Sequence, residues 1–166
     1  MSNEFIAIPR LFNSAVKSAK KYGSESMHNT EGQYINNGWD RLSSDGYGNS
    51  RLYKDTNRDR WVDEIVEKKN GQVFVEAKNT NPYQDNLFDS YKEYEKGKLA
   101  KVVQDKDKNG KYDYVELYEY GKLSQTIEDI TNDGNPDIYT FYYSDGSIAE
   151  QIDTRSGWEK FWDSIF

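Results

Sequence analysis

Two periods of apolar spacing divide this chain. Near its start, Ile8, Leu11, Phe12, Ala15 and Ala19 recur at i, i+3, i+4 and i+7, which lines side chains up on one stripe of an α-helix. Pro9 is tolerated in the first turn of such a helix and Gly23 ends it, so a helix is predicted over 5–23. A polar linker follows over 24–35. At the far end Trp158, Phe161, Trp162 and Ile165 form a second stripe, which predicts a short aromatic helix over 157–166.

Between these ends the period drops to two and the pattern repeats. Four acidic segments close on Asp63, Asp89, Asp113 and Asp137, spaced 24 to 26 residues apart. Two positions after each closing acid stand Ile65, Tyr91, Val115 and Tyr139, and five positions after stand Lys68, Tyr94, Tyr118 and Tyr142. A glycine turn follows each time, at Asn70-Gly71, Lys96-Gly97, Tyr120-Gly121 and Asp145-Gly146, and then an apolar residue at Val73, Leu99, Leu123 and Ile148. The first and last of these turns are strong signals for two-residue hairpin loops. Enrichment in Tyr, Val, Ile, Thr and Phe over 115–120 and 138–143 favours strands. Each repeat therefore reads as acidic loop, strand, tight turn, strand.

Chained together, these units predict a mainly all-β fold, an antiparallel meander over 36–153 with acidic loops at one end and hairpin tips at the other. A degenerate forerunner ends at Asp40, and a truncated last copy starts at Asp153. A closed barrel, a stacked solenoid and a flat sheet all satisfy the pattern. Terminal units of repeat arrays are atypical caps, so both helices are expected to cover edges or core. The aromatic C-terminus as a docking or secretion signal is the alternative. The 166 residues suit a single domain, 1–166.

Composition narrows the function. The 22 Lys+Arg against 29 Asp+Glu give a net charge of −7, which repels nucleic acid and anionic lipid. No run is long and apolar enough for a membrane span, and residues 1–9 lack the features of a signal peptide. The absence of Cys removes disulfides, thiolate metal sites and Cys nucleophiles.

The acidic segments carry the chemistry. Asp105, Asp107 and Asn109 occupy positions one, three and five, Gly110 the sixth, Asp113 the ninth and Glu116 the twelfth. Alternating oxygen ligands in a loop that turns sharply at Gly converge on a hard cation. The second candidate comprises Asp129, Thr131, Asp133 and Asp137, with Gly134 at six and Thr140 at twelve. The third comprises Asp55, Asn57, Asp59 and Asp63, with Arg60 in place of the Gly and Val66 at twelve. The fourth, aligned from Asn81, carries Tyr83 at its third position and reads as vestigial. Each segment alone could be an ordinary Asp/Asn/Gly turn; three aligned sets of oxygen ligands favour a cation.

These segments resemble EF-hand-like calcium loops, and the whole repeat resembles bacterial calcium-binding repeat proteins in which such loops join β-hairpins. The hairpin at 142–147 is similar to MORN-type repeats. The resemblance covers roughly 36–153 and implies Ca²⁺-dependent structure without catalysis. EF-hand loops lie between helices, whereas 114–120 reads as a strand, so Glu116 is a ligand only if that strand aims it back at the loop.

Other chemistry finds little support. His28, the only His, sits in a polar segment with no triad pattern around it. No phosphate-cradling Gly loop is present. Lys17, Lys20 and Lys21 read as a solvated helix face, and carboxylate pairs are too numerous to single out a glycosidase pair. The Tyr columns are expected mainly as cross-strand ladders, with stacking on sugar rings or a protein contact as the alternative. The expectation is a non-enzymatic calcium-binding module with a structural, adhesive or secreted-protein role, its partners calcium ions and a second protein. The alternative is a metal-independent, inhibitor or immunity-type module that presents its acidic loops to a basic partner. Weak calcium sites would fill outside the cell, which favours secretion or surface display by a leaderless route over a cytoplasmic location.

Overall fold

The computed structural model describes residues 4–23, 33–34, 38–81 and 88–155. Among these residues one helix, α1 (Glu4–Gly23), precedes eleven strands. They are β1 (Gln33–Tyr34), β2 (Arg41–Ser44), β3 (Ser50–Lys54), β4 (Glu64–Lys69), β5 (Gln72–Lys78), β6 (Ser90–Glu95), β7 (Lys98–Gln104), β8 (Tyr114–Glu119), β9 (Lys122–Glu128), β10 (Ile138–Tyr142) and β11 (Ile148–Asp153). All lie in one antiparallel sheet in chain order, in which, among the described residues, β1 and β11 are the outermost strands. The all-β meander behind an N-terminal helix is thus the fold. The linker over 24–35 needs correction at its end, because Gln33 and Tyr34 pair with Leu42 and Arg41 as the first strand. The remainder of that linker and the aromatic helix over 157–166 lie outside the described residues.

Register explains the repeat. Tyr53, Ile65, Ala77, Tyr91, Val103, Val115, Ile127, Tyr139 and Ile152 are successive cross-strand partners from β3 to β11. They form one apolar row across the sheet just inside the acidic loops, and all but Ile152 are buried. Strand alternation puts each row member on the same face, and α1 lies on that face against β5, β7 and β8. Val62 and Phe88, each just before a closing acid, are buried and extend the core toward the loops, with Tyr112 packed against it.

The helix buries Phe12, Ala15, Val16, Ala19 and Tyr22, whereas Leu11 is exposed. Small Ala15 and Ala19 let the helix backbone approach the sheet, and that contact sets the rotation of the stripe. Tyr22 closes the last turn: its ring lies 5.5 Å from that of Tyr91 and its hydroxyl donates to Glu67 at 3.0 Å. Glu67 also accepts from Arg51 at 2.8 Å. Burial opposes ionisation of Glu67, yet these partners hold its carboxyl below the usual range.

The tips of the four repeats divide into two kinds. At Asn70-Gly71, Lys96-Gly97 and Tyr120-Gly121 both turn residues have positive φ, the two-residue geometry whose twist matches the flanking strands. The last tip is corrected from two residues to three. Gly146 donates to the Tyr143 carbonyl and Tyr143 to that of Ser147, and Gly146 alone is left-handed, at +87°, which is a type I turn closed by a Gly bulge. The return strands carry one extra residue at matching places, seen as register shifts beside Glu67, Glu93, Leu117 and Phe141.

Candidate metal centre in the acidic loops

Each acidic loop is wound around its own side chains. In the third of the four loops in chain order, Asp105 accepts from the backbone N–H groups of Asn109 at 3.2 Å and Gly110 at 2.7 Å. Asp107 accepts from the Asn109 N–H at 3.1 Å, Asn109 from the Lys111 N–H at 2.8 Å, and Asp113 from the Lys106 N–H at 2.8 Å. Gly110 takes φ +87°, the turn that brings positions one, three and nine together. One carboxylate oxygen from each of Asp105, Asp107 and Asp113 lies within 4.8 Å of the other two.

The same winding recurs in the other loops. Asp55 accepts from Asp59 at 3.2 Å and Arg60 at 2.9 Å, and Asn57 from Asp59 at 3.1 Å. Asp59 accepts from Trp61 at 2.8 Å, while Asp63 is capped by both the N–H and the hydroxyl of Thr56 at 2.6 Å. Arg60 holds φ +78°, so it adopts the conformation expected of the missing glycine. In the fourth loop Asp129 accepts from Gly134 at 2.9 Å, Asp133 from Asn135 at 2.7 Å, and Asp137 from Thr131 at 2.8 Å. Among the described residues only the Asp105 group brings three acidic side chains so close.

Electrostatics follows this crowding. Burial raises Asp105 above the ordinary Asp value, and neighbouring Asp107 adds to the rise against the pull of the loop N–H groups. Burial likewise raises Asp129, aided by the charges of Asp133 and Asp137. Asp107 also meets a burial penalty, but the Asn109 N–H and the Asn132 amide outweigh it and leave its carboxyl lowered.

Glu116 does not join the loop. Its carboxylate accepts from Tyr114 at 3.1 Å and Tyr118 at 2.6 Å, on the sheet face opposite the buried Val115. The strand after the loop has turned the twelfth position away, so the ninth is the last acidic ligand the loop offers.

The second loop corrects the alignment from Asn81. Buried Asn79, not Asn81, stands at position one, because its N–H pairs with the Asp63 carbonyl as those of Asp105 and Asp129 pair with Asp89 and Asp113. The wider spacing before Asp89 is a two-residue insertion within the loop, and Tyr83 lies outside the described residues. Asp89 is capped by Thr80 through its N–H at 3.0 Å and its hydroxyl at 2.7 Å. It also receives the Lys108 ammonium, which reaches back from the third loop and contacts the Thr80 hydroxyl at 2.6 Å. A side-chain cation thus neutralises the second loop.

Position four is the residue type that spacing rules overlooked. Arg58, Lys108 and Asn132 all have φ near +60°, and the last two lean onto the loop before their own. The Asn132 amide donates to Asp107 at 2.8 Å, and the Lys111 ammonium reaches the Asn132 carbonyl at 3.3 Å. This arrangement leaves the Asn132 Oδ1 enclosed without a donor. The three converging carboxylates offer oxygen ligands only, the donor type that hard cations take.

Compared by sequence, the chain matches no family model and no curated protein. By structure it is similar to a crystal structure of accessory secretory protein 1, 2 and 3 in Streptococcus pneumoniae, at 15% identity and TM-score 0.42 over 74% of this chain and 22% of that one. A mutant of TarM from S. aureus in complex with fondaparinux, alpha-GlcNAc-glycerol and UDP gives 16% identity and TM-score 0.42 over 87% of this chain and 26% of that one. A second TarM structure gives the same identity and score over 90% and 26%. The chain spans about a quarter of the length of these structures, and a likeness at this score carries no argument about activity. Among the described residues no helix is long and apolar enough to cross a membrane.

Proposed function

We propose that this chain is a non-catalytic calcium-binding β-hairpin repeat module with a structural or adhesive role in which Ca²⁺ stiffens the acidic edge of the sheet. The observation that carries the reading is the convergence of Asp105, Asp107 and Asp113 within 4.8 Å. Asn109 lies in the same loop. Bound there, the cation would neutralise Asp105, whose charge burial and the neighbouring Asp107 disfavour. With its twelfth ligand turned away, the site belongs in the weak range of about 10⁻⁴ to 10⁻³ M used by extracellular modules. Asp129, Thr131, Asp133 and Asp137 form a weaker second site, and Asp55, Asn57, Asp59 and Asp63 a third.

The test is a thermal melt in millimolar CaCl₂, in excess EDTA and in MgCl₂. A Tm rise of several degrees specific to Ca²⁺, reduced by Asp105→Ala, supports the reading through linkage of binding to folding. Identical melts in all three would overturn it in favour of acidic loops that bind a basic protein without metal. That alternative predicts partner binding that falls steeply with salt.

A further inference from the structure

The opposite end of the sheet holds a second kind of surface. Two shallow grooves run between successive hairpin tips. The first, with a cavity volume of about 640 Å³, is lined by Glu95, Lys98, Leu99, Tyr118, Glu119 and Tyr120 among others. The second, about 340 Å³, adds Leu123, Tyr142 and Tyr143. Glu119 and Tyr120 line both, so Tyr120 is the wall between them.

Tyr120 stands where local energetics argue against it. It occupies the first position of a two-residue turn at φ +53°, a conformation that disfavours bulky side chains and suits Asn or Asp. The matching position in the first such hairpin is Asn70. Tyr120 is 90% exposed, so no packing within the described residues compensates for this placement. Tyr118 is held by its hydrogen bond to Glu116 at 2.6 Å, which gives the first groove a rigid aromatic floor. Around these rings Glu95, Lys96, Lys98 and Glu119 supply both signs of charge, and among the described residues none of their side chains enters a hydrogen bond or ion pair.

The geometry points to a neutral oligosaccharide with extended, β-1,4-type linkages as the ligand of these two grooves, with Tyr120 stacked on the face of one of its rings. Three features select this class. Aromatic faces offer large contact area at low entropic cost. Donors and acceptors of balanced charge suit hydroxyls and would not select an anionic chain. The grooves recur one hairpin apart, a spacing of two strands or roughly 9.5 Å, and an extended β-linked chain presents every second ring at a comparable repeat. The site lies away from the acidic loops and is independent of their metal.

The experiment is a calorimetric and ¹H–¹⁵N NMR titration of the full chain with cellotetraose, chitotetraose, their disaccharides and maltotetraose. The expected result is binding of at least one β-linked tetrasaccharide, at least about tenfold tighter than its disaccharide, with shifts centred on 118–123 and 142–144. Tyr120→Asn, which suits the turn and so keeps the fold, is expected to weaken binding about tenfold or more, and Tyr120→Trp to retain it. Tyr47→Ala, at an equally exposed tip elsewhere, is expected to leave it unchanged. The proposal is overturned if no tetrasaccharide binds, if Tyr120→Asn binds as wild type does, or if maltotetraose binds equally well. Concentration-dependent self-association that Tyr120→Asn abolishes, without sugar binding, would also overturn it and make the patch a contact between copies of this chain.

Discussion

Removing the ammonium of Lys108 while keeping its length, as in Lys108→Met, strands the carboxylate of Asp89. That side chain is 8% exposed, against 47% for Lys108, so the acid cannot rotate freely into water while the lysine is partly solvated. Breaking a fully buried pair costs about 3–5 kcal/mol, and a hydrogen bond to a charged group contributes about 1.5–3 kcal/mol. Water reaches the lysine side of this pair, and the N–H and hydroxyl of Thr80 still cap Asp89. The expected loss is therefore about 1–2 kcal/mol, or roughly 2–8 °C in Tm for a chain of this size. The assay is a melt in EDTA followed by circular dichroism for wild type, Lys108→Met, Asp89→Asn and the double variant. The double variant should lose clearly less than the sum of the single losses, because neutralising the acid removes the need for the cation. Additive losses, or a Lys108→Met melt within about 1 °C of wild type, would refute the idea that the lysine substitutes for a metal ion in the second loop.

Three further outcomes follow from the same geometry. Asp105 and Asp129 have folded-state pKa values raised above the ordinary Asp value. The stability they contribute is present below the unfolded pKa and is lost as pH rises through the folded one. In EDTA the protein should therefore gain stability from these two groups as pH falls from neutrality toward the carboxylate range, whereas in CaCl₂ protons compete with the cation and the gain should vanish; equal pH slopes in the two buffers would contradict this. Glu116→Gln should leave the calcium-induced Tm rise intact, because that carboxylate serves Tyr114 and Tyr118, and loss of the rise would return Glu116 to the site. Tyr120→Asn should raise stability by roughly 0.5–1 kcal/mol, read from the denaturation midpoint, by relieving a left-handed bulky residue.

The meander was legible because two signals reinforce each other. Alternation within each strand and recurrence of the closing acids both place Ile65, Tyr91, Val115 and Tyr139 in equivalent positions, and the structure puts them in one buried row. The loop alignment failed at Asn81 because Asn79 and Asn81 are interchangeable by residue type, and only the backbone pairing of Asn79 to Asp63 decides between them. The EF-hand spacing that gave Glu116 a ligand's position presupposes a helix after the loop, and the strand read over 114–120 points the same residue elsewhere. Leu11 and Val16 show the same limit within α1. Both fit a helical stripe, and contact with the sheet chooses which is covered. Position four, home of Lys108 and Asn132, carries no ligand signature, since its role depends on which loop lies next door.

The single apolar row gives the sheet a modular inheritance. Excising residues 90–113 would bring Tyr114 to the place of Ser90 and Val115 to that of Tyr91, opposite Lys78 and Ala77 in the existing register. The row would close up without a gap, so length can change by whole hairpins during gene duplication or loss. Hairpins are nonetheless not free agents, because Lys108 and Asn132 each complete the loop of the preceding unit. The smallest piece that can be copied, moved or grafted intact is therefore two adjacent hairpins, one carrying the loop and the next carrying the residue that finishes it.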